Sequence, residues 1–509
     1  MTPEFEDLAH ARPATTPGSS VKARGTSKRA ADVFSRSHST RTRVGEAVVT
    51  NTVARPAGET EPEADRLDSQ RSGKSRIGLR AVASMLAGTV TALVLVLLVF
   101  DGAIEPVITG WVLLGFAFGW ALLASTLRRT EQPQAWAWVP AMSLAALGVA
   151  SLVLRPSDSV MRAIGWVWPV LLVVLAVWSL LRARRTLHNW SRRVVLYPVL
   201  ALTVLAGVGG GYEKVSELRD TSSAVMQGQL VDVGDHKMRI SCIGTGSPTV
   251  VLEPGLGESG AMMAGWIQPA VAKSTRVCVY DRSGRDWSEP APHAQDAIAN
   301  AADLHALLDT AHIDGPYVLV GHSSGAAYIK IYAAEYPDQV AGMVLLDAQP
   351  SQAMTRLPDY PTDYAGLRKG MALAPSLART GVMRLFYKSA VAGLPAAARD
   401  EVRRVWSSPD QYRSLRDELI ALPRALTESQ ALTSIGDKPL IVVTAVKDAM
   451  TGWLPLQTEM TGLSSNSVQR ILPDATHASL TEDEPQAAAA GQAVIDVVDA
   501  VRSGDPVRP

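Results

Sequence analysis

Apolar and polar positions divide the chain into three stretches of different rhythm. Residues 1–76 are rich in Ser, Thr, Arg, Ala and Pro and show no apolar period. Such a segment cannot bury enough surface to offset its ordering entropy, which predicts a disordered tail. It is too long and too polar for a signal peptide. Between residues 77 and 212, apolar residues run on with no polar face, at about 79–100, 108–126, 136–154, 164–181 and 194–212. Each run is near the roughly 20 residues that cross a bilayer core, and buried helices of a soluble domain would keep a polar stripe. The pattern predicts five transmembrane helices.

From residue 213 to 509 the rhythm changes again. Short β-branched runs at 229–233, 237–242, 249–253, 276–281, 317–321, 340–346, 440–444 and 467–472 predict eight strands. The first two read as a hairpin over Gly234-Asp235. The later ones alternate with helix-length segments near 261–273, 295–311, 324–336 and 485–502, which predicts an α/β fold with a mostly parallel sheet in three layers. Between Ala348 and Asp437 the alternation stops and helical patterns such as 398–406 and 411–421 take over. A helical insertion of about 348–437 over the carboxyl ends of the strands follows from that.

Composition narrows the function classes. Charged residues make up 19% of the 509, below the usual quarter but in a chain that is 47% hydrophobic, so it is not mostly disordered. Equal numbers of basic and acidic residues, 49 each, argue against a nucleic-acid binder. Two cysteines cannot build a disulfide framework or a four-cysteine zinc site, and no histidine pair has ligand-like spacing beside further ligands. No metal or cofactor is expected.

The zero net charge is a cancellation. Residues 1–80 hold 14 basic and 10 acidic residues, 81–212 hold nine and four, and the remainder 26 and 35. Arg71, Lys74, Arg76 and Arg80 precede the first apolar run; Asp101 to Val107 carries two acids and no base. Arg128 and Arg129 follow the second run, Arg155, Asp158 and Arg162 the third, and Arg182, Arg184, Arg185, Arg192 and Arg193 the fourth. This alternation predicts a multi-pass protein of the cell membrane, with a cytoplasmic N-terminus and residues 213 onward extracytoplasmic. Eight of the 12 tryptophans fall between Trp111 and Trp190, several near run ends where an aromatic belt sits. An acidic domain is not drawn to anionic lipid, so contact with the bilayer rests on the spans.

The chemistry centres on Gly321-His322-Ser323-Ser324-Gly325, which follows the apolar run Tyr317 to Val320 and opens a helical stretch. There Ser323 sits on a strand-to-helix turn that exposes its hydroxyl. A serine nucleophile needs a base, itself oriented by an acid. His293, His305, His312, His322 and His477 are the candidate bases. His477, in the loop after the last strand, is preferred; His322 reads as a packing residue whose side chain points away, and His305 and His312 as helix-surface or packing residues. For the acid, Asp448 lies beyond the buried run Leu440 to Val443, with Asp347 as the alternative after the preceding strand. A competing motif, Gly255-x-Gly257-x-x-Gly260 with Asp281 ending the next strand, is close to a dinucleotide-binding fingerprint. It would leave the elbow, acid and histidine unused.

The order Ser323, Asp448, His477, the elbow, Tyr280-Asp281-Arg282-Ser283-Gly284 and Leu345-Leu346-Asp347-Ala348 together resemble the cap-bearing serine hydrolases of the α/β-hydrolase superfamily, over the last 297 residues. The resemblance implies an oxyanion hole of two backbone N–H groups, from Ser324 and from the loop Glu253-Pro254-Gly255-Leu256-Gly257, where Leu256 is the second donor. Many relatives carry His-Gly where this chain has Pro254-Gly255. Cys242 and Cys278 fall on strands that neighbour each other in that sheet order, which allows a cross-strand disulfide in an oxidising compartment or two buried thiols. The expectation is a membrane-anchored hydrolase of small or lipid-like carboxylic esters, acting through an acyl-enzyme. Acyl transfer, amide or peptide cleavage, a non-catalytic ligand-binding receptor and an NAD-dependent oxidoreductase are the alternatives.

Overall fold

The computed structural model describes residues 63–99, 103–128, 133–186, 196–223, 225–292 and 295–509. Its core is one eight-stranded sheet: β1 Gln229–Asp232, β2 Lys237–Ile243, β3 Thr249–Glu253, β4 Val277–Tyr280, β5 Tyr317–His322, β6 Val340–Leu346, β7 Leu440–Ala445 and β8 Ser467–Leu472. The order is β1-β2-β4-β3-β5-β6-β7-β8. Only the pairings of β2 with β1 and β4 are antiparallel. All eight expected strands are present, and β1 and β2 form the expected hairpin.

Central strands are buried on both faces, as parallel sheets covered by helices require. Along β3, Val250 and Leu252 face a cluster built with the helices Gly260–Val271 and Glu484–Ser503, whereas Val251 faces Ala297–Thr310 and Gly325–Glu335. Chain order reverses at β3, with β4 on one side and β5 on the other. Loops at the carboxyl ends of β3 and β5 therefore diverge and leave a crevice, the usual place for a site in such sheets.

Between β6 and β7 the chain is helical: Ala353–Arg356, Tyr360–Ala378, Tyr387–Ala390, Ala396–Trp406 and Pro409–Glu428. The last begins where Ser408 Oγ accepts the Gln411 N–H, a side-chain cap. Its Leu419, Leu422 and Leu426 pack with Leu256 and Ala327, so this cap covers the loops after β3 and β5.

Ahead of the sheet, among the described residues, three helices are long and apolar enough to cross a membrane: Leu79–Val99, Glu105–Leu127 and Ala135–Leu154. A pair bent by 43°, Asp158–Ile164 and Trp168–Thr186, makes a fourth if counted as one span. The expected count of five is not met by this measure. The helix Tyr197–Ser223 is apolar only as far as Tyr212, and Glu213 and Lys214 follow before about 20 residues are complete. The first helix also starts at Glu63, inside the stretch expected to be disordered.

Outward faces of these helices carry large apolar side chains such as Leu86, Val90, Leu98, Met142, Val153, Leu171 and Val174. Their contacts with one another use small residues. A Cβ on Gly88 would lie 2.8 Å from the Gly119 Cα, and one on Gly148 2.9 Å from the Gly110 carbonyl. Apolar outside and small at the interface is the pattern of helices packed in lipid.

Candidate active site

Ser323 follows β5 with φ of +54°, in the left-handed region. The two glycines of the elbow are required by close approach. A Cβ on Gly321 would lie 2.7 Å from the Ala326 Cα, and one on Gly325 2.4 Å from the Glu253 carbonyl. The turn is held by the Ser323 N–H donating to the Leu346 carbonyl (3.1 Å) and the Gln349 N–H donating to that of Ser323 (2.8 Å).

The Ser323 hydroxyl is 2.8 Å from His477 Nε2, and His477 Nδ1 is 2.6 Å from Asp347 Oδ2. Asp347 is buried at the end of β6. Its other oxygen accepts the Trp453 indole N–H (2.8 Å) and the Ala445 N–H (3.1 Å). The Trp453 ring stands edge-on to His477, with centroids 6.2 Å apart. Asp448, the preferred acid in the sequence, does not reach the imidazole. It lies three residues beyond β7 in an exposed turn, where its carboxylate accepts the backbone N–H of His477 (3.1 Å). The alternative, Asp347, is the carboxylate at the ring, because it leaves β6 beside the elbow strand.

Gly255, after β3, runs beside the nucleophile turn: a Cβ there would be 2.9 Å from the Ser323 Cβ. Arg282 holds this loop from behind. Its guanidinium donates to the carbonyls of Pro254 (2.7 Å) and Gly255 (3.1 Å), to Glu253, and to Glu418 of the Pro409–Glu428 helix (2.9 Å). Arg285 donates to the same Glu418 (2.7 Å). Burial raises the Glu418 carboxyl, but the two arginines more than offset this and leave it below its usual value. In a trans peptide the N–H opposes the C=O, so with the Gly255 carbonyl on Arg282 the Leu256 N–H points away from it. Ser324 is the N-cap residue of Gly325–Glu335, at an end where backbone N–H groups lack helical partners.

The other motifs resolve into packing. A Cβ on Gly260 would be 2.5 Å from Asp281 Oδ1, so that acid fills the space beside the third glycine of the dinucleotide-like motif. Asp281 also accepts from Arg239 (3.2 Å); burial, and then Asp286, push its carboxyl up to about 8. His305 stacks on Tyr336 at 4.2 Å, His312 ends its helix, and His293 lies outside the described residues. Cys242 and Cys278 face each other across β2 and β4 and are joined as a disulfide.

His322 departs from its reading as a packing residue. It is buried, with Nδ1 2.8 Å from Glu258 Oε2 and Nε2 3.1 Å from the His477 carbonyl. Glu258 was not singled out in the sequence at all. Its place, one turn past β3 in a glycine-rich loop, was the available signal.

Residues 248–483 match the family model of the alpha/beta hydrolase fold, and the sheet has the mostly parallel eight-stranded form of that fold. The chain is 27% identical over 286 residues to an uncharacterized protein of Schizosaccharomyces pombe, covering 49% of this chain and 52% of that one. It is 32% identical over 105 residues to an uncharacterized vacuolar membrane protein of Saccharomyces cerevisiae, 20% of this chain and 16% of that one. It is 57% identical over 49 residues to lipase LipV of Mycobacterium tuberculosis, 10% of this chain and 18% of that one. These matches span about half or less of the relatives' own length. Among solved structures, a thermophilic esterase from Thermogutta terrifontis aligns with TM-score 0.42 and 20% identity over 54% of this chain and 99% of its own. The Cif epoxide hydrolase from Acinetobacter nosocomialis gives 0.46 and 16% over 55% and 95%.

Proposed function

We propose that this chain is a membrane-bound serine hydrolase that cleaves carboxylic esters with Ser323 as nucleophile, His477 as base and Asp347 as orienting acid. The observation that carries the reading is the unbroken line from Ser323 Oγ through the imidazole to Asp347. Asp347 fixes the proton on Nδ1, which leaves the Nε2 lone pair to take the hydroxyl proton as Ser323 attacks the ester carbonyl. The resulting imidazolium is stabilised by the buried carboxylate and then protonates the leaving alcohol. Water, activated by the same histidine, releases the acid from the acyl-enzyme.

The N–H groups of Ser324 and Leu256 receive the oxyanion, and the Arg282 clamp on the Gly255 carbonyl supports that role for Leu256. One such donor contributes roughly 3–4 kcal/mol to the barrier lowering. The lipase and the vacuolar membrane protein among the relatives accord with a hydrolase at a membrane. The cap packs the apolar Met371 and Leu419 with Leu256 of the loop after β3, which suits an apolar, lipid-like acyl or alcohol group. The hydrolase domain lies on the extracytoplasmic side, which the Cys242–Cys278 disulfide favours.

A fluorophosphonate probe tests the reading. It should label membranes carrying the wild-type chain and not those carrying Ser323→Ala. Unlabelled wild-type protein, under conditions that label a control esterase, would overturn it.

A further inference from the structure

Three segments must keep register for this chemistry: the loop after β3, the elbow, and the loop that carries His477. One carboxylate oxygen and one imidazole join all three. Glu258 Oε2 accepts the Gly255 N–H (2.8 Å) and faces His322 Nδ1 (2.8 Å), while His322 Nε2 faces the backbone carbonyl of His477 (3.1 Å). A carbonyl oxygen can only accept, so Nε2 carries a hydrogen. An ionised carboxylate also only accepts, so Nδ1 carries one as well. The two rings, His322 and His477, lie with centroids 4.8 Å apart.

We propose that Glu258 and His322 form a buried carboxylate–imidazolium positioning pair, which ties the oxyanion loop to the backbone of the base. The inference rests on the reading of Ser323 and His477 given above. Removing Glu258's charge removes the reason for a second proton on His322. A neutral His322 has one N–H, and keeping it on residue 258 turns a bare lone pair toward the His477 carbonyl. In that tautomer the base loop loses its tie and the His477 ring its position against Ser323; in the other, Nε2 keeps the tie and the bond to residue 258 is lost.

Charges around the pair agree with this assignment. Burial alone lowers the His322 basicity, but the Glu258 charge and hydrogen bond more than offset it and leave it above the ordinary value. Burial raises the Glu258 carboxyl, and His322 with the Gly255 N–H bring it below its usual range. Glu482, on the turn Ser479–Glu482, also faces the pair; burial and then Glu258 push it up to about 7. Asp347 is the remaining acid near His322. Ionisation of Glu482 adds negative charge beside His322, so it opposes rather than mimics loss of the imidazolium proton.

The test is the pH dependence of the fluorophosphonate labelling rate of the full-length protein in detergent. Wild type should show no falling limb on the alkaline side, because pairing with Glu258 holds His322 charged above its ordinary range. Glu258→Gln should instead fall with rising pH, by up to about tenfold per pH unit, once His322 without its carboxylate partner loses its proton. A Glu258→Gln profile superimposable on wild type would overturn the pair while leaving the hydrolase reading intact. Absence of labelling in wild type would sink the hydrolase reading itself. His322→Gln covers the case in which Glu258→Gln does not fold. It cannot titrate and keeps at most one of the two bonds, so its plateau should lie at least about tenfold below wild type with no falling limb. A rate within about twofold of wild type, or a falling limb, would equally refute the pair.

Discussion

Replacing Asp347 and Asp448 separately by Asn separates two carboxylates that the sequence presented as rivals. The outcome can be worked out from hydrogen-bond polarity. Asp347 Oδ1 accepts from the Trp453 indole and the Ala445 backbone, both of which can only donate. In Asp347→Asn the amide oxygen must stay on those two groups, which turns the NH2 toward His477 Nδ1. The amide then donates to Nδ1 and drives the ring proton to Nε2, where it faces the Ser323 hydroxyl. That tautomer cannot take the serine proton, and the loss expected for a wrong-tautomer triad is about 10⁴ in kcat, or roughly 5 kcal/mol. KM should barely move, since no substrate contact is removed. Asp448→Asn keeps an oxygen able to accept the His477 N–H, at an exposed position, so its cost should stay below about 1 kcal/mol, under roughly fivefold. Steady-state hydrolysis of a short p-nitrophenyl ester by the solubilised protein reads both. A hundredfold loss in Asp448→Asn beside near-normal activity in Asp347→Asn would refute the reasoning.

Two further outcomes follow from buried charge and from topology. Lys330 is 3% exposed with Ser351 Oγ as its hydrogen-bond partner at 2.7 Å, and burial pushes its ammonium down from 10.5 to about 8. The folded state therefore binds fewer protons than the unfolded one between those values, so stability rises with pH across that window, by about 1.4 kcal/mol per unit and about 3 kcal/mol in all. Lys330→Met should abolish that rise and be the more stable protein at neutral pH; equal pH slopes in thermal unfolding of the two proteins would contradict this. For topology, protease added to sealed right-side-out vesicles should digest residues 213–509 and spare the N-terminal segment, and protection of the hydrolase domain would reverse the orientation.

Strands were legible because each is a short apolar run closed by turn residues, and burial on both faces leaves that signal uninterrupted from Val250 to Val443. The elbow was legible because its glycines answer to steric contacts within the motif itself. The acid was not, because Asp347 and Asp448 both stand after buried strands; which one meets the imidazole depends on how far past the strand end each lies, a tertiary distance with no local signature. His322 was misread for a related reason. Its neighbours Glu258 and His477 are 64 and 155 residues away in sequence, so nothing local distinguishes an ion-paired imidazole from a packed one. Apolarity likewise marked the first three candidate membrane helices plainly and the Tyr197–Ser223 helix poorly, since its second half, through Glu213 and Asp220, pairs with Arg384 of the cap.

Contacts at the helix ends carry the topological proposal further than apolarity does. Arg80 bonds the Thr126 carbonyl (3.3 Å), Thr186 bonds Gln134 (2.9 Å), and Ala81, Leu127, Ala137, Ala183 and Leu196 share one cluster. One end of the bundle therefore gathers Arg80, Arg128, Arg182, Arg184 and Arg185. The opposite end meets the cap. Glu105 pairs with Arg379 (2.5 Å) and Arg413 (3.0 Å), Glu213 with Arg384 (2.5 Å), Asp158 with Arg413 (3.2 Å) and Arg162 with Asp410 (3.1 Å). A shallow cleft lined by Arg162, Trp168, Glu213 and Arg379 marks this junction. Glu105 and Asp158 are then counter-ions for the cap arginines and carry no information about orientation, which in the proposed topology rests on the arginine-rich end alone. By the positive-inside bias, the proposed topology puts that end in the cytoplasm. The same ion pairs join the lid of the proposed ester site to the ends of the apolar helices, so the bundle is a structural floor for the cap.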